Sequence, residues 1–442
     1  MVTASTLALR NTITRRRTRR RMAVVAAVAS SRKHRVLRAL PFQRTRMVWW
    51  DRVASLTAHE FVCRYRVDLE GFNSMLVKIR PFMPAMYRNV TNQVSNELKL
   101  SMCLRWLAGG SYLDLADMHG VSTATFFRHV KQVYTAINQA YELPLVGVLE
   151  RWDVDAVEQL ASGFDAKTHG VVPGCIGAID GIALKVERKV VAAEPAPDAF
   201  FTHKGFYSLN GQVICDAYRR ITWASIKCCG STHDATAFSN TRLAELMGNP
   251  AHPINASDYW IAGDDAYVGP ANQCDSLLTP YQGRNLDKWH DSFNFYQSKL
   301  RIEIECTFGG LVHRFGMLQR KLAFDCVDDA CTALMAMFKI HNIATDRRVG
   351  LNHVGRVPVD RDPSGKTRLG DLFGADWAQW GPDGVDAGFH DPDDRPRVDR
   401  SKKQRLRDEL HDNLRIAGWT RPDRSTYLGY REAAQRSAVA RM

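Results

Sequence analysis

Gly174-Cys175-Ile176-Gly177-Ala178-Ile179-Asp180-Gly181-Ile182-Ala183-Leu184-Lys185-Val186 is a short apolar run with one carboxylate at its centre. Such a run reads as a buried central strand. An ionised carboxylate is costly there unless a partner or a metal compensates it. The pattern recurs downstream. Asp264 closes Tyr259-Trp260-Ile261-Ala262-Gly263-Asp264, a second strand-like run, and Glu305 lies in the helix-like Ile302-Glu303-Ile304-Glu305-Cys306-Thr307-Phe308-Gly309. Two strand carboxylates and one helix carboxylate can jointly hold hard divalent cations through oxygen. Two-metal phosphoryl transfer requires a site of that kind.

The surrounding pattern is α/β. Cys175 to Val186, Phe206 to Asp216 and Ile221 to Lys227 read as three meandering strands. Ala235 to Met247 reads as a helix, Tyr259 to Gly263 as a fourth strand, and Phe293 to His313 and Cys326 to Asn342 as late helices. This order is that of a ribonuclease-H-like catalytic core. Upstream, residues 48–145 read as helical, and a further helix around Val154 to Leu160 falls in the connection that follows. Ser111 can cap a helix running through Leu115 and Met118 to His119, Gly120 supplies a turn, and Ser122 can cap the next, with Phe127, Val130 and Val133 on one face. That is a helix-turn-helix outline. The polar side of its second helix offers Thr123, Thr125, Arg128, Lys131 and Gln132 to DNA, the alternative being an ordinary helical subdomain.

Charge is unevenly placed. Of the 60 Lys and Arg, 13 lie before Asp51, where there is no acid, leaving 47 to balance 47 Asp and Glu. The N-terminal 47 residues therefore read as a basic, disordered arm, suited to nucleic acid or nuclear import, with a transit segment as a further reading. No apolar run approaches the roughly 20 residues of a membrane span. The ten cysteines follow no zinc-ligand spacing and read as reduced thiols. Residues 346–442 are rich in charge, Gly and Pro and read as mostly disordered, save a short helix near 402–417 where Leu406, Leu410 and Leu414 repeat at four-residue spacing before Gly418.

The segments 174–181, 207–216, 230–234 (Gly-Ser-Thr-His-Asp), 263–267 (Gly-Asp-Asp-Ala-Tyr) and 304–309, with Arg314-Phe315 and His341-Asn342-Ile343, occur in one order. Together they resemble the Harbinger-type (PIF/Harbinger) DDE transposases and their domesticated, HARBI-like nuclease relatives, over about residues 95–345. The resemblance implies a nuclease domain at 146–345 that cuts DNA at transposon ends with Mg2+ or Mn2+ and joins the freed 3′-hydroxyl to target DNA. It implies Asp180, Asp264 and Glu305 as catalytic carboxylates and Asp234 as a further metal-site acid; the basic arm adds the expectation of a nuclear location. DNA is the expected partner, with a separate Myb-like DNA-binding protein and self-association as further expectations. A host nuclease without transposition and a catalytically silent DNA-binding scaffold are the alternatives.

Several neighbours compete for these roles. Asp265 directly follows Asp264, and successive strand residues point oppositely. Glu303 lies roughly 200° around the helix from Glu305, so both cannot serve one site. Arg301, four residues from Glu305, can simply pair with it. Gly309 lets the backbone approach a strand or DNA closely. His233 with Asp234 supplies too few ligands for zinc. His203, Lys204 and Lys227 are candidates for phosphate contact or solvated surface, and Arg128, Lys131, Gln132 and Lys204 are the expected DNA contacts.

Overall fold

A computed structural model describes residues 45–85, 93–268, 274–283, 286–347 and 402–421. At its centre is a five-stranded mixed sheet built from β1 (Cys175–Lys185), β2 (Ser208–Cys215), β3 (Ile221–Cys229), β4 (Trp260–Ala262) and β5 (Leu277–Leu278), in the order β3-β2-β1-β4-β5. β1 to β3 form an antiparallel meander, while β4 and β5 add in parallel on the other side of β1. Both faces are covered, which is why the strands read as nearly continuous apolar runs. Ile176, Ile179, Ile214, Ile261 and Leu277 pack with Leu149, Val157, Phe238 and Met247 on one side. Ala178, Val213 and Ala262 join a larger core with Leu300, Ile304 and Leu334.

The helical region contains α1 (Trp49–Ala54), α2 (Ala58–Tyr65), α3 (Leu69–Ile79), α4 (Asn96–Leu107), α5 (Tyr112–Met118) and α6 (Thr123–Ala140). Side-chain caps begin four of these helices: a Thr57–Glu60 capping box, Asp68, Ser95 and Ser122. Trp49 stacks on Phe72 at 4.6 Å between ring centroids. Ser111 stands at the N-cap of α5 without a side-chain cap bond. The turn between α5 and α6 is Gly120, whose φ is +64°. A Cβ there would meet the Thr45 carbonyl oxygen at 2.2 Å, and the Arg46 guanidinium donates to the Gly120 carbonyl at 3.0 Å. Thr45 and Arg46 of the expected arm thus pack on this turn; residues 1–44 lie outside the described residues.

The buried face of α6 carries Phe126, Val130, Val133 and Ile137. Phe127, expected on that face, is 41% exposed and packs beside Tyr112 and Trp106. The 3.6-residue period selects Phe126 because it lies four before Val130.

Downstream, α7 (Leu145–Arg151) and α8 (Val154–Thr168) precede β1, and α9 (Asp234–Ser239) and α10 (Arg242–Gly248) lie between β3 and β4. The sequence expects one helix where α9 and α10 stand. Thr241 divides them, its hydroxyl donating to the Phe238 carbonyl (2.7 Å) and accepting the Ala244 amide (3.2 Å). Such local bonds compete with a continuous helix. The long α11 (Lys288–Arg314) starts earlier than the apolar pattern suggests because Asp287 accepts the Trp289 and His290 amides. It is followed by α12 (Val327–Asp346) and α13 (Lys402–Ala417), the latter burying Leu406, Leu410 and Leu414. Residues 348–401 and 422–442 lie outside the described residues. Among the described residues no helix is long and apolar enough to cross a membrane.

α6 is fixed to α12. The Tyr134 hydroxyl donates to Asp329 at 2.7 Å, the Asn138 amide to the Thr332 carbonyl at 2.8 Å, and the Lys339 ammonium to the Asn138 carbonyl at 2.9 Å. Asp329→Ala removes the acceptor of a buried hydroxyl. Urea denaturation should show a loss of about 1–3 kcal/mol, the cost of leaving such a group unsatisfied.

Candidate active site

Ala178 of β1 and Ala262 of β4 are parallel partners. Two residues beyond that last pair along each chain stand Asp180 and Asp264, the latter past the end of β4. Side chains alternate along extended backbone, so both carboxylates follow the face that Ala178 and Ala262 turn toward α11. Asp180 lies within β1, opposite Val213 of β2. It accepts the Gly181 amide at 2.8 Å. Asp264 lies just beyond β4, where it caps the turn Asp265–Tyr267 and accepts the Ala266 amide at 2.9 Å.

α11 brings Arg301 and Glu305, one turn apart, to the same place. An Arg301 terminal nitrogen is 3.8 Å from Asp264 Oδ2 and 4.0 Å from Glu305 Oε1. Glu303 faces elsewhere, buried between Lys167 (2.7 Å) and Arg219 (2.8 Å). The helix therefore separates its two acids as its geometry demands.

The fourth acid approaches through a gap. Asp234, at the start of α9, accepts from the Asn210 amide (3.0 Å) and the Gln212 amide (2.7 Å) of β2. The Tyr267 hydroxyl in turn donates to Gln212 Oε1. A Cβ on Gly181 would lie 2.3 Å from Asp234 Oδ1, so only glycine next to Asp180 leaves room for this carboxylate.

The acids feel one another. Burial, and then the Asp264 charge, push the Asp180 carboxyl up to about 7; Arg301 opposes this and Asp234 adds to it. Burial also raises Asp264, against the pull of Arg301, with Asp234 and Asp265 adding to the rise. Of the charges that act on Asp180, that of Asp264 is the largest.

Asp180, Asp234 and Asp264 thus form one coupled group, and Glu305 joins it by way of Arg301 with its side chain 48% exposed. Among the described residues no three of these carboxylates bring oxygens within 4.8 Å of one another. The all-oxygen donor set suits a hard divalent cation, and Arg301 is the positive charge the chain itself supplies at this position. No zinc-type grouping forms at His233 among the described residues.

The expected DNA contacts are scattered. Arg128 is exposed on α6. Lys131 is engaged with Asp329 at 2.6 Å, and Gln132 Oε1 lies 3.0 Å from His129 Nδ1. Lys204 and His203 are exposed in the loop before β2. Gly309 has open space where its Cβ would be, so no strand approach requires it. Asn210, Gln212 and Tyr267 were missed as site residues. The signal was present: two amides alternate in a strand that is buried throughout.

Residues 179–342 match the DDE superfamily endonuclease family, and they include all four acids. This part of the chain is therefore similar to DDE endonuclease domains, a likeness that implies a ribonuclease-H-like arrangement for the mixed sheet. Within that class the chain is similar to the Harbinger-type, HARBI-like proteins. It is 26% identical over 286 residues to "Putative nuclease HARBI1" of Mus musculus, covering 62% of this chain and 74% of the relative. The protein of the same name from Xenopus laevis is 25% identical over 180 residues, 40% of this chain and 47% of the relative. No solved structure matches the chain.

The raised Asp180 carboxyl makes a prediction about stability. Its folded value lies above the ordinary value near 4, so the metal-free fold binds more protons than the unfolded chain between about pH 4 and 7. The resulting penalty grows across that window, is complete above pH 7, and is lost as pH falls toward 4. Asp180→Asn should therefore raise the Tm of metal-free protein at pH 8, by a stabilisation of order 1–4 kcal/mol, and the gain should shrink to nothing near pH 4. Thermal melts across this range check it.

Proposed function

We propose that this chain is a divalent-metal-dependent DNA endonuclease of the transposase type, which cuts DNA at transposon ends and joins the 3′-hydroxyl to target DNA. The observation that carries the reading is the approach of Asp264 to Asp180, each two residues beyond the parallel pair Ala178–Ala262, with Arg301 between Asp264 and Glu305. Mg2+ or Mn2+, bound there, would lower the pKa of a water and stabilise a leaving oxygen. Asp180, Asp264 and Glu305 are the residues that would hold it, with Asp234 close by.

The chain's own contribution is positioning. Backbone amides fix one oxygen of Asp180 and one of Asp264, leaving their remaining lone pairs for a cation. Asn210 and Gln212 hold Asp234 as an acceptor. Arg301 offers a guanidinium at the mouth of the site, where a phosphate can compete with the carboxylates for it. The cost of burying Asp180 and Asp264 together in the metal-free fold argues against a silent scaffold. DNA is the proposed partner, the nucleus the proposed location, and a Myb-like DNA-binding protein and a second copy the proposed associates.

Cleavage of labelled duplex DNA carrying candidate end sequences tests the chemistry. Mg2+ should support cutting and EDTA abolish it. Asp180→Asn, Asp264→Asn and Glu305→Gln should each lower the rate by about two to three orders of magnitude, as removal of one preorganised electrostatic group does. Equal rates in wild type and Asp180→Asn would sink the proposal.

The basic arm supplies a separate expectation. Deleting residues 1–44 keeps the Thr45–Arg46 contact with Gly120 and removes 12 of the 13 cations before Asp51. DNA affinity should fall and its dependence on salt should flatten, because fewer counterions are released. Parallel slopes of log affinity against log salt for the two proteins would show that the arm makes no phosphate contact.

A further inference from the structure

Far along α11 from Glu305, at the opposite end of that helix, is a second cluster of ligand-type side chains: Asp287, His290 and His411. Each offers one ligand atom, and the three atoms lie within 4.8 Å of one another; among the described residues no other trio does so. Asp287 and His290 belong to the first turn of α11 and its cap, and His411 to α13. The cluster therefore joins the helix that carries Arg301 and Glu305 to the C-terminal helix.

The local geometry prepares each group. Asp287 Oδ1 accepts the Trp289 and His290 amides at 2.8 and 3.0 Å, which leaves Oδ2 facing His290 Nδ1 at 2.8 Å. The His290 and His411 rings lie 4.6 Å apart between centroids, and the Tyr281 ring edges against His290 at 4.3 Å. His411 Nδ1 lies 3.4 Å from Asp412 Oδ1, while its Nε2 is buried and has no hydrogen-bond partner. A carboxylate on one ring nitrogen with the other left free is how metal-ligating histidines are oriented. A buried ring nitrogen without a partner calls for one.

We propose that Asp287, His290 and His411 bind a divalent transition cation of the Zn2+ class, clasping α13 onto α11. Two imidazoles and a carboxylate are a borderline donor set, unlike the all-carboxylate cluster around Asp180, and prefer such a cation to Mg2+. At Zn–N distances near 2.1 Å, two ligands of a tetrahedral ion stand about 3.4 Å apart, so closure needs side-chain shifts of about 1 Å. The site is independent of the cleavage chemistry proposed above.

The test uses full-length Asp180→Asn protein, in which the carboxylate cluster is weakened, loaded with Zn2+ and dialysed against excess Mg2+. Elemental analysis should find one Zn2+ per chain, and Co2+ in its place should give visible d–d absorption. His290→Ala and His411→Ala should each lose the bound equivalent and the absorption, with circular dichroism unchanged. His411→Gln, which keeps the side chain's bulk, should lose it too and covers the case in which alanine disturbs α13. Zinc retained equally in all these variants, or absent from the parent protein, would overturn the assignment.

Discussion

Placing a carboxylate inside the central strand of a covered sheet is the constraint around which this fold is organised. Asp180 lies where β1 passes from full burial toward the surface, and an unpaired negative charge there is disfavoured. Among the described residues no Lys or Arg forms an ion pair with it, and Arg301 lies against Asp264 instead. The chain places Asp264 and Asp234 near it, which makes the charge costlier, and sets Arg301 at a distance that offsets only part of the cost. The divalent cation proposed for this site would offset that concentration of negative charge.

The sheet and α11 divide the work. The parallel pairing of β4 with β1 brings Asp264 toward Asp180, and the antiparallel β2 carries the amides that hold Asp234. Removing one side chain, at Gly181, lets that acid approach. Meanwhile α11 runs beneath the sheet, packs on α8, β1 and α13, and delivers Arg301 and Glu305 partway along its length. The helical region meets the endonuclease domain through α6 and α12, and one hydrophobic core runs through both.

Much of this was legible before folding. An apolar run interrupted by one acid identified β1 and Asp180 together, because few residue patterns are as hard to explain otherwise. Asp264 was legible only up to its neighbour: alternation says that Asp264 and Asp265 point apart, and the sequence does not carry the sheet pairing that brings Asp264 near Asp180. β5 escaped because two residues carry no period. The break between α9 and α10 turned on whether Thr241 bonds its own backbone, a choice made by tertiary contacts. Arg301 could be read as a partner for Glu305, but its second neighbour, Asp264, lies 37 positions earlier and is brought near only by the sheet.

Glu303 adds a mechanical aspect. A helix packed on a sheet can turn about its own axis, and side chains at a radius of about 7 Å move by about 2 Å for a turn of only 15–20°. That displacement would spoil the alignment of a catalytic group. Glu303 is held from two directions, by Lys167 of α8 and by Arg219 of the turn between β2 and β3. The clamp acts as a key in a shaft: it fixes the angle of α11, and with it the direction in which Arg301 and Glu305 point on the other side.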